Sequence, residues 1–172
     1  LVSCTPMVDD KGRIEKIIHI ATDITDRKKA EDALRESELW LQSIFNSLDE
    51  TVLVVTPDRK ILNINDGGRK MFGYSQEEVV GLSTAVLHVD HEHYVKFGNQ
   101  MNEAFDSGEA ADFEFLAKRK NGEIFLSEHT VSLLRDSQGD PVGIVSVVRD
   151  ITERKRAEEV LKKTQRLLAE TE

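Results

Sequence analysis

The chain has little of several things that would announce a function. A single cysteine, Cys4, among 172 residues excludes an internal disulfide and paired-cysteine metal motifs, and it fits a reducing, cytoplasmic compartment. No run of about 18 apolar residues occurs, so no segment is expected to span a membrane, and no signal peptide is visible. Basic residues are outnumbered, 23 Lys and Arg against 32 Asp and Glu, for a net charge of −9. That balance argues against nucleic acid as a partner, because phosphate binding needs a basic surface. The short runs Arg27-Lys28-Lys29 and Arg154-Lys155-Arg156 are soon followed by acids and read as solvated helix faces. There is no Walker loop, no nucleophile elbow and no phosphoacceptor histidine motif, so no catalytic residue is expected. What remains, 39% hydrophobic and 32% charged, suits one ordinary domain with charged helical extensions.

What is present is a repeat. Asp150-Ile151-Thr152-Glu153-Arg154-Lys155 is the second copy of Asp23-Ile24-Thr25-Asp26-Arg27-Lys28, 127 residues earlier. Ile17 to Ile20 answers Ile144 to Val147, Gly12 answers Gly139, and Ala30 to Leu34 answers Ala157 to Leu161. In each copy a β-branched run breaks at Asp-Ile-Thr and a charged segment with helical spacing begins, so the repeated object is a strand-to-helix joint. Asp and Thr there suit the orphan N–H groups of a first helical turn. Asp23, Thr25, Asp150 and Thr152 are therefore the candidate signal-relay residues.

The repeat divides the chain. Residues 1–22 read as a β-hairpin closing a preceding unit, and Leu1 in mid-strand suggests an excised piece. Residues 23–47 form a linker helix, 48–150 a complete unit, and 151–172 the start of a second linker helix. Ala30, Leu34, Ser37, Leu41, Ile44 and Leu48 follow a coiled-coil seam, repeated as Ala157, Leu161, Thr164, Leu168 and Thr171. A homodimer through these seams is expected, with Trp40 and Phe45 as a second apolar stripe for the domain itself. Inside the unit the pattern predicts strands over 51–56 and 60–64. A helix capped by Asn65 or Asp66 follows and ends at Gly73, and Ser75 to Glu78 form a capping box. A helix over 94–105 closed by Gly108 leads to strands over 112–119, 124–134 and 142–149. Asn121-Gly122 predicts a type I′ hairpin turn. The fold class is α+β, a mostly antiparallel sheet with helices on one face and linker helices at both ends.

Asn65, Met71-Phe72-Gly73-Tyr74-Ser75-Gln76-Glu77-Glu78-Val79-Val80-Gly81, Lys120-Asn121-Gly122 and the Asp-Ile-Thr joint together resemble a PAS sensor domain over residues 41–160. The resemblance implies a five-stranded antiparallel sheet whose concave face encloses a small-molecule cavity, with a helical output at the joint. It also implies tandem units upstream of a histidine kinase or diguanylate cyclase. Two positions depart from the family. Gly67-Gly68 replace frequent alanines and should loosen their turn, and Val89 stands where proline is usual.

The cavity candidates are Met71, Phe72, Tyr94, Phe97, Met101, Phe105, Phe115 and His129, with plain core packing as their simpler role. For His129 a cross-strand polar pair is the expectation favoured over ligand contact. His88, His91 and His93 read as polar surface at a helix start, since i,i+2 side chains diverge on a helix. No cofactor is identified. Phe97 stands where haem-binding relatives carry the ligating histidine, and Gly81-Leu82-Ser83-Thr84 lacks the flavin-reactive cysteine. Three readings follow: a sensory module taking an unidentified small molecule, a ligand-free interaction module, and a haem- or metal-dependent gas or redox sensor.

Overall fold

The computed structural model describes residues 1–107 and 111–169, so Gly108 and Thr171 lie outside the described residues. It divides into two compact units, Leu1–Ser43 and Ile44–Glu172. The first holds an antiparallel hairpin, β1 (Val2–Val8) and β2 (Ile14–Ala21), and most of α1 (Thr25–Ser47). Both strands are exposed along their whole length, and Trp40 is 64% exposed. Phe45, its partner in that stripe, is half-buried.

The second unit is an α+β fold. Strands β3 (Thr51–Val55) and β4 (Ile61–Ile64) are followed by α2 (Asp66–Phe72), α3 (Gln76–Val79), a 3₁₀ turn (Thr84–Leu87) and α4 (His91–Ser107). Then come β5 (Ala111–Lys118), β6 (Ile124–Arg135), β7 (Pro141–Asp150) and α5 (Thr152–Ala169). The five strands form one antiparallel sheet in the order β4-β3-β7-β6-β5. Burial alternates along β3 and through the middle of β6 and β7, as a sheet with one core face requires. Leu53 and Val55, Ile144 and Val148, Val131 and Phe125 point into the core, where Phe72, Val79, Phe97 and Met101 of the helices meet them.

The local signals of α2 and α3 work as their residue types dictate. Asn65 caps α2 through its side-chain oxygen on Gly68 N–H, Gly73 ends it at φ 78°, and Ser75 with Glu78 forms the capping box. Gly67 and Gly68 are not loosening residues, contrary to the expectation. A Cβ on Gly67 would lie 2.7 Å from the Asp49 carbonyl oxygen, and one on Gly68 would lie 2.5 Å from Ile64 Cγ1. The pair lets α2 press against the start of β3.

The expected type I′ turn is also corrected. Asn121 is not at positive φ; Gly122 is, at 88°, and Gly122 N–H donates to Arg119 O while Arg119 N–H donates to Glu123 O. This is a type I turn followed by one left-handed residue, a three-residue hairpin loop. Asn121 instead uses its side-chain oxygen to accept from Glu123 N–H, so it needs no left-handed backbone. The same bonds close Asp9–Arg13 around Gly12 (φ 76°), Asp136–Asp140 around Gly139 (φ 88°) and Thr56–Lys60 around Arg59 (φ 64°).

Candidate functional site

Arg59 is the exception among those loops. A left-handed backbone costs an ordinary L-residue about 1–2 kcal/mol, and here its side chain has a place to go. Arg59 Nη1 donates to Tyr94 O at 2.9 Å, Nη2 donates to His88 Nε2 at 3.1 Å, and the guanidinium lies 3.7 Å from the Tyr94 ring centroid. A Cβ at Gly98 would come within 2.6 Å of Arg59 Nη1, so that glycine of α4 admits the guanidinium. The Arg59 carbonyl in turn accepts from Thr84 N–H at 2.9 Å, which ties the loop to the 3₁₀ turn.

Behind Arg59 lies a cavity of about 40 Å³. At about 10–15 Å³ per enclosed water, that is room for about three. Its walls are mostly aliphatic and aromatic, with Leu53, Val55, Phe97, Met101, Ile144 and Val148 among them. Besides Arg59, four polar residues interrupt them: Thr84, His88, His129 and Ser146. Thr84 Oγ1, His88 Nδ1, His129 Nδ1 and Ser146 Oγ are buried with no hydrogen-bond partner, and they are all such side-chain atoms found among the described residues. Buried polar atoms are normally satisfied, so their convergence on one cavity marks it.

The network assigns both imidazole tautomers. Arginine only donates, so His88 Nε2 accepts and the proton of the neutral ring sits on Nδ1. Ser127 Oγ donates to Phe115 O at 2.8 Å and therefore accepts from His129 Nε2–H at 2.8 Å, which leaves His129 Nδ1 with a bare lone pair. Both rings stay neutral. Burial first, and then the Arg59 charge, pushes His88 down to about 3, and burial pushes His129 down to about 4. Both pack edge-on against Phe97, with ring centroids 5.0 and 4.9 Å away.

Of the eight cavity candidates, Phe72, Phe97, Met101 and His129 line the cavity. Phe115 is buried in the core, while Met71 and Phe105 are half-buried against it. Tyr94 lies under Arg59. His129 makes no cross-strand polar pair: its neighbours across the sheet are Phe113 and Val148, and its bond goes to Ser127 on its own strand. His88 is not surface. It is extended and bridges to Ala117 of β5, which leaves it 6% exposed. His91 is exposed and fits the surface reading, while His93 is half-buried, bonded to Asp90 at 2.8 Å and edge-on to Phe115. Arg59, Thr84, His88 and Ser146 were missed as cavity residues. A usable signal existed only for Arg59, which occupies a loop position filled by glycine at Gly12, Gly122 and Gly139.

The joint lies at the other end of β7. Asp150 Oδ1 accepts from Thr152 N–H at 2.9 Å, and Asp23 Oδ1 accepts from Thr25 N–H at 2.9 Å. Thr152 differs from expectation. Its hydroxyl accepts from Leu126 N–H of β6 at 3.3 Å rather than from its own helix, while Ile151 N–H donates to Leu126 O at 3.0 Å. Arg119 completes the joint. It donates to Asp150 Oδ2 at 2.6 Å and to Met71 O, and it lies 4.0 Å from the Phe125 ring centroid. Burial would raise the Asp150 pKa, but hydrogen bonds from Thr152 and Arg119 outweigh it and hold the carboxyl below its usual range.

The chain matches the family model described as PAS domain over residues 1–26 and 49–153. It is 24% identical over 151 residues to the probable diguanylate cyclase DgcE of Escherichia coli (strain K12), covering 87% of this chain and 14% of that protein. It is 26% identical over 141 residues to the sensor histidine kinase TmoS of Ectopseudomonas mendocina, covering 80% of this chain and again 14% of the relative. The chain thus spans a small part of the curated relatives it matches. Among solved structures, the PAS domain of a protein from Colwellia psychrerythraea superposes with a TM-score of 0.62 at 21% identity, covering 70% of this chain and 98% of that one. The five-strand order, the cavity on the sheet's core face and the matched residues together establish that the chain belongs to the PAS domain family.

Proposed function

We propose that the chain is a non-catalytic sensory and dimerisation module of a cytoplasmic multidomain signalling protein. A small molecule enters the cavity, and the Asp-Ile-Thr joint passes the resulting change to α5 and on to a histidine kinase or diguanylate cyclase. One observation carries this reading: a short chain of contacts joins cavity to joint. Phe72 lines the cavity, the adjacent Met71 carbonyl accepts from Arg119, and Arg119 holds the Asp150 carboxylate that caps α5. The names of the two relatives support the choice of effectors.

Residues 1–22 are read as the closing hairpin of a preceding PAS unit, which the match over residues 1–26 supports. Dimerisation would use the seams containing Ala30, Leu34, Leu41 and Ile44 on α1 and Leu161 and Leu168 on α5. The exposure of Leu34 at 62% and Leu161 at 58% favours it. Native mass spectrometry of freshly purified protein tests both parts, with a dimer carrying a retained small molecule expected. An empty monomer at tens of micromolar would overturn the reading in favour of a ligand-free interaction module. In the full-length parent, Asp150→Ala should alter the signal response of the effector; unchanged output would make the joint merely structural.

A further inference from the structure

We infer that the cavity takes a small uncharged protic molecule, of the alcohol or primary-amide class, with about three or four non-hydrogen atoms. This rests on the ligand-sensing reading above and adds the chemistry of the ligand to it. Size comes from the cavity, whose 40 Å³ holds about three waters and falls far below the roughly 300–1,000 Å³ of drug- or cofactor-sized pockets.

Polarity comes from the four unpartnered atoms. His88 Nδ1–H offers a donor and nothing else, because Arg59 occupies Nε2. His129 Nδ1 offers an acceptor and nothing else, because Ser127 occupies Nε2–H. Thr84 and Ser146 hydroxyls can serve as either. A molecule that satisfies this set must itself both donate and accept. An ether or a ketone leaves His129 Nδ1 bare, and an unsatisfied buried polar atom costs more than the bond that would fill it returns.

Charge comes from the walls. A carboxylate is expensive to bury against Leu53, Val55, Val131, Ile144 and Val148 unless it is paired. It would also face the lone pair of His129. The cation at the rim, Arg59, has no carboxylate partner among the described residues, which makes acetate the sharpest competitor. However, two of its five N–H donors go to Tyr94 O and His88 Nε2, and its charge lies over the Tyr94 ring. Acetate, with no donor of its own, would still leave His129 Nδ1 bare.

Four probes of four non-hydrogen atoms each separate these terms: 1-propanol, acetamide, methoxyethane and acetate. Each is titrated into the full 172-residue chain carrying ¹⁵N-labelled histidine. We expect 1-propanol and acetamide to shift the Nδ1 resonances of His88 and His129 saturably. Methoxyethane, an isomer of the alcohol without a donor, and acetate should bind at least tenfold more weakly. Ser146→Ala, which removes one hydroxyl with little change of volume, should weaken the alcohol severalfold; His129→Phe should weaken it at least tenfold. An unchanged thermal melt shows that a variant is folded, and should His129→Phe melt early, Ser146→Ala carries the test. Methoxyethane or acetate binding as tightly as 1-propanol would overturn the ligand class and leave the sensory reading intact. Silence from all four probes would also overturn the class. The sensory reading itself falls only if native mass spectrometry finds no retained molecule either.

Discussion

The β1–β2 and β6–β7 hairpins pair in the same register, 127 residues apart. Cys4 faces His19 as Val131 faces Ser146, Pro6 faces Ile17 as Leu133 faces Ile144, and the register slips after Met7 as it does after Leu134. Their turns match as well. Asp9 Oδ1 accepts from Lys11 and Arg13 N–H as Asp136 Oδ1 accepts from Gln138 and Asp140 N–H. Yet Ile17 is 52% exposed where its counterpart Ile144 is 3% exposed. The joints diverge in the same way. Arg27 pairs with Glu31 of its own helix, while its counterpart Arg154 reaches Glu128 of β6, and Lys155 reaches Glu114 of β5. Ile24 is half-buried; Ile151 is buried. The local design is shared by both copies, and within the second unit a core lies against it.

That comparison makes ordered expectations. The largest effect should come from the isoleucine of the joint. Ile151→Ala should cost about 2–5 kcal/mol, the usual range for a buried isoleucine, and Ile24→Ala under about 1 kcal/mol. Hydrogen exchange of β6–β7 and of β1–β2 reads each separately, and equal losses would break the contrast.

Acid should act next, and most strongly on the cavity copy, because the counterpart of His129 in β1 is Val2. His129 titrates near 4 when folded against an ordinary imidazole value of 6.5. The unfolded chain therefore takes up the proton first, and stability is lost as pH falls from about 6.5 toward 4. The loss should reach roughly 3 kcal/mol, and His88 extends the window toward about 3. Urea titrations at pH 7 and pH 4 should show a smaller acid loss in His129→Phe than in the wild type.

Asp150→Ala removes a cap worth about 1 kcal/mol together with the Arg119 contact, so it should cost about 1–2 kcal/mol with the fold retained. Asp23→Ala removes the cap alone and should cost about 1 kcal/mol at most. Amide exchange in the first turns of α1 and α5 would resolve the difference. The smallest effects test the likeness rather than the contrast. Gly12→Ala and Gly139→Ala each force a side chain into the left-handed region at about 1 kcal/mol, and thermal melts of the two variants should agree. Unequal costs would mean that the two turns are not energetically alike.

Local physics was readable in the residues themselves. The repeat, the strand-to-helix joint, the Asn65 and Ser75 caps and the Gly73 stop involve groups within a few positions of one another, and short-range hydrogen bonding determines them. The hairpins and their antiparallel pairing were legible too, but the long-range pairing of β3 with β7, which sets the strand order, was not. The turn at Asn121 was misread because side-chain capping and a left-handed backbone compete at asparagine, and only the bonded partner decides between them. Phe72, Phe97, Met101 and His129 were also legible as cavity residues, but tertiary structure alone decided the rest of the lining. His88 looks like any polar residue at a helix start until its backbone bridges to Ala117, and Gly67-Gly68 look loose until Asp49, Thr51 and Ile64 close on them. Arg59, Thr84, His88 and Ser146 reach one point from β7 and from the loops between β3 and α4. Burial, tautomer and unmet hydrogen-bonding capacity belong to that convergence, because each depends on which distant atoms arrive beside a side chain rather than on the side chain's neighbours in sequence.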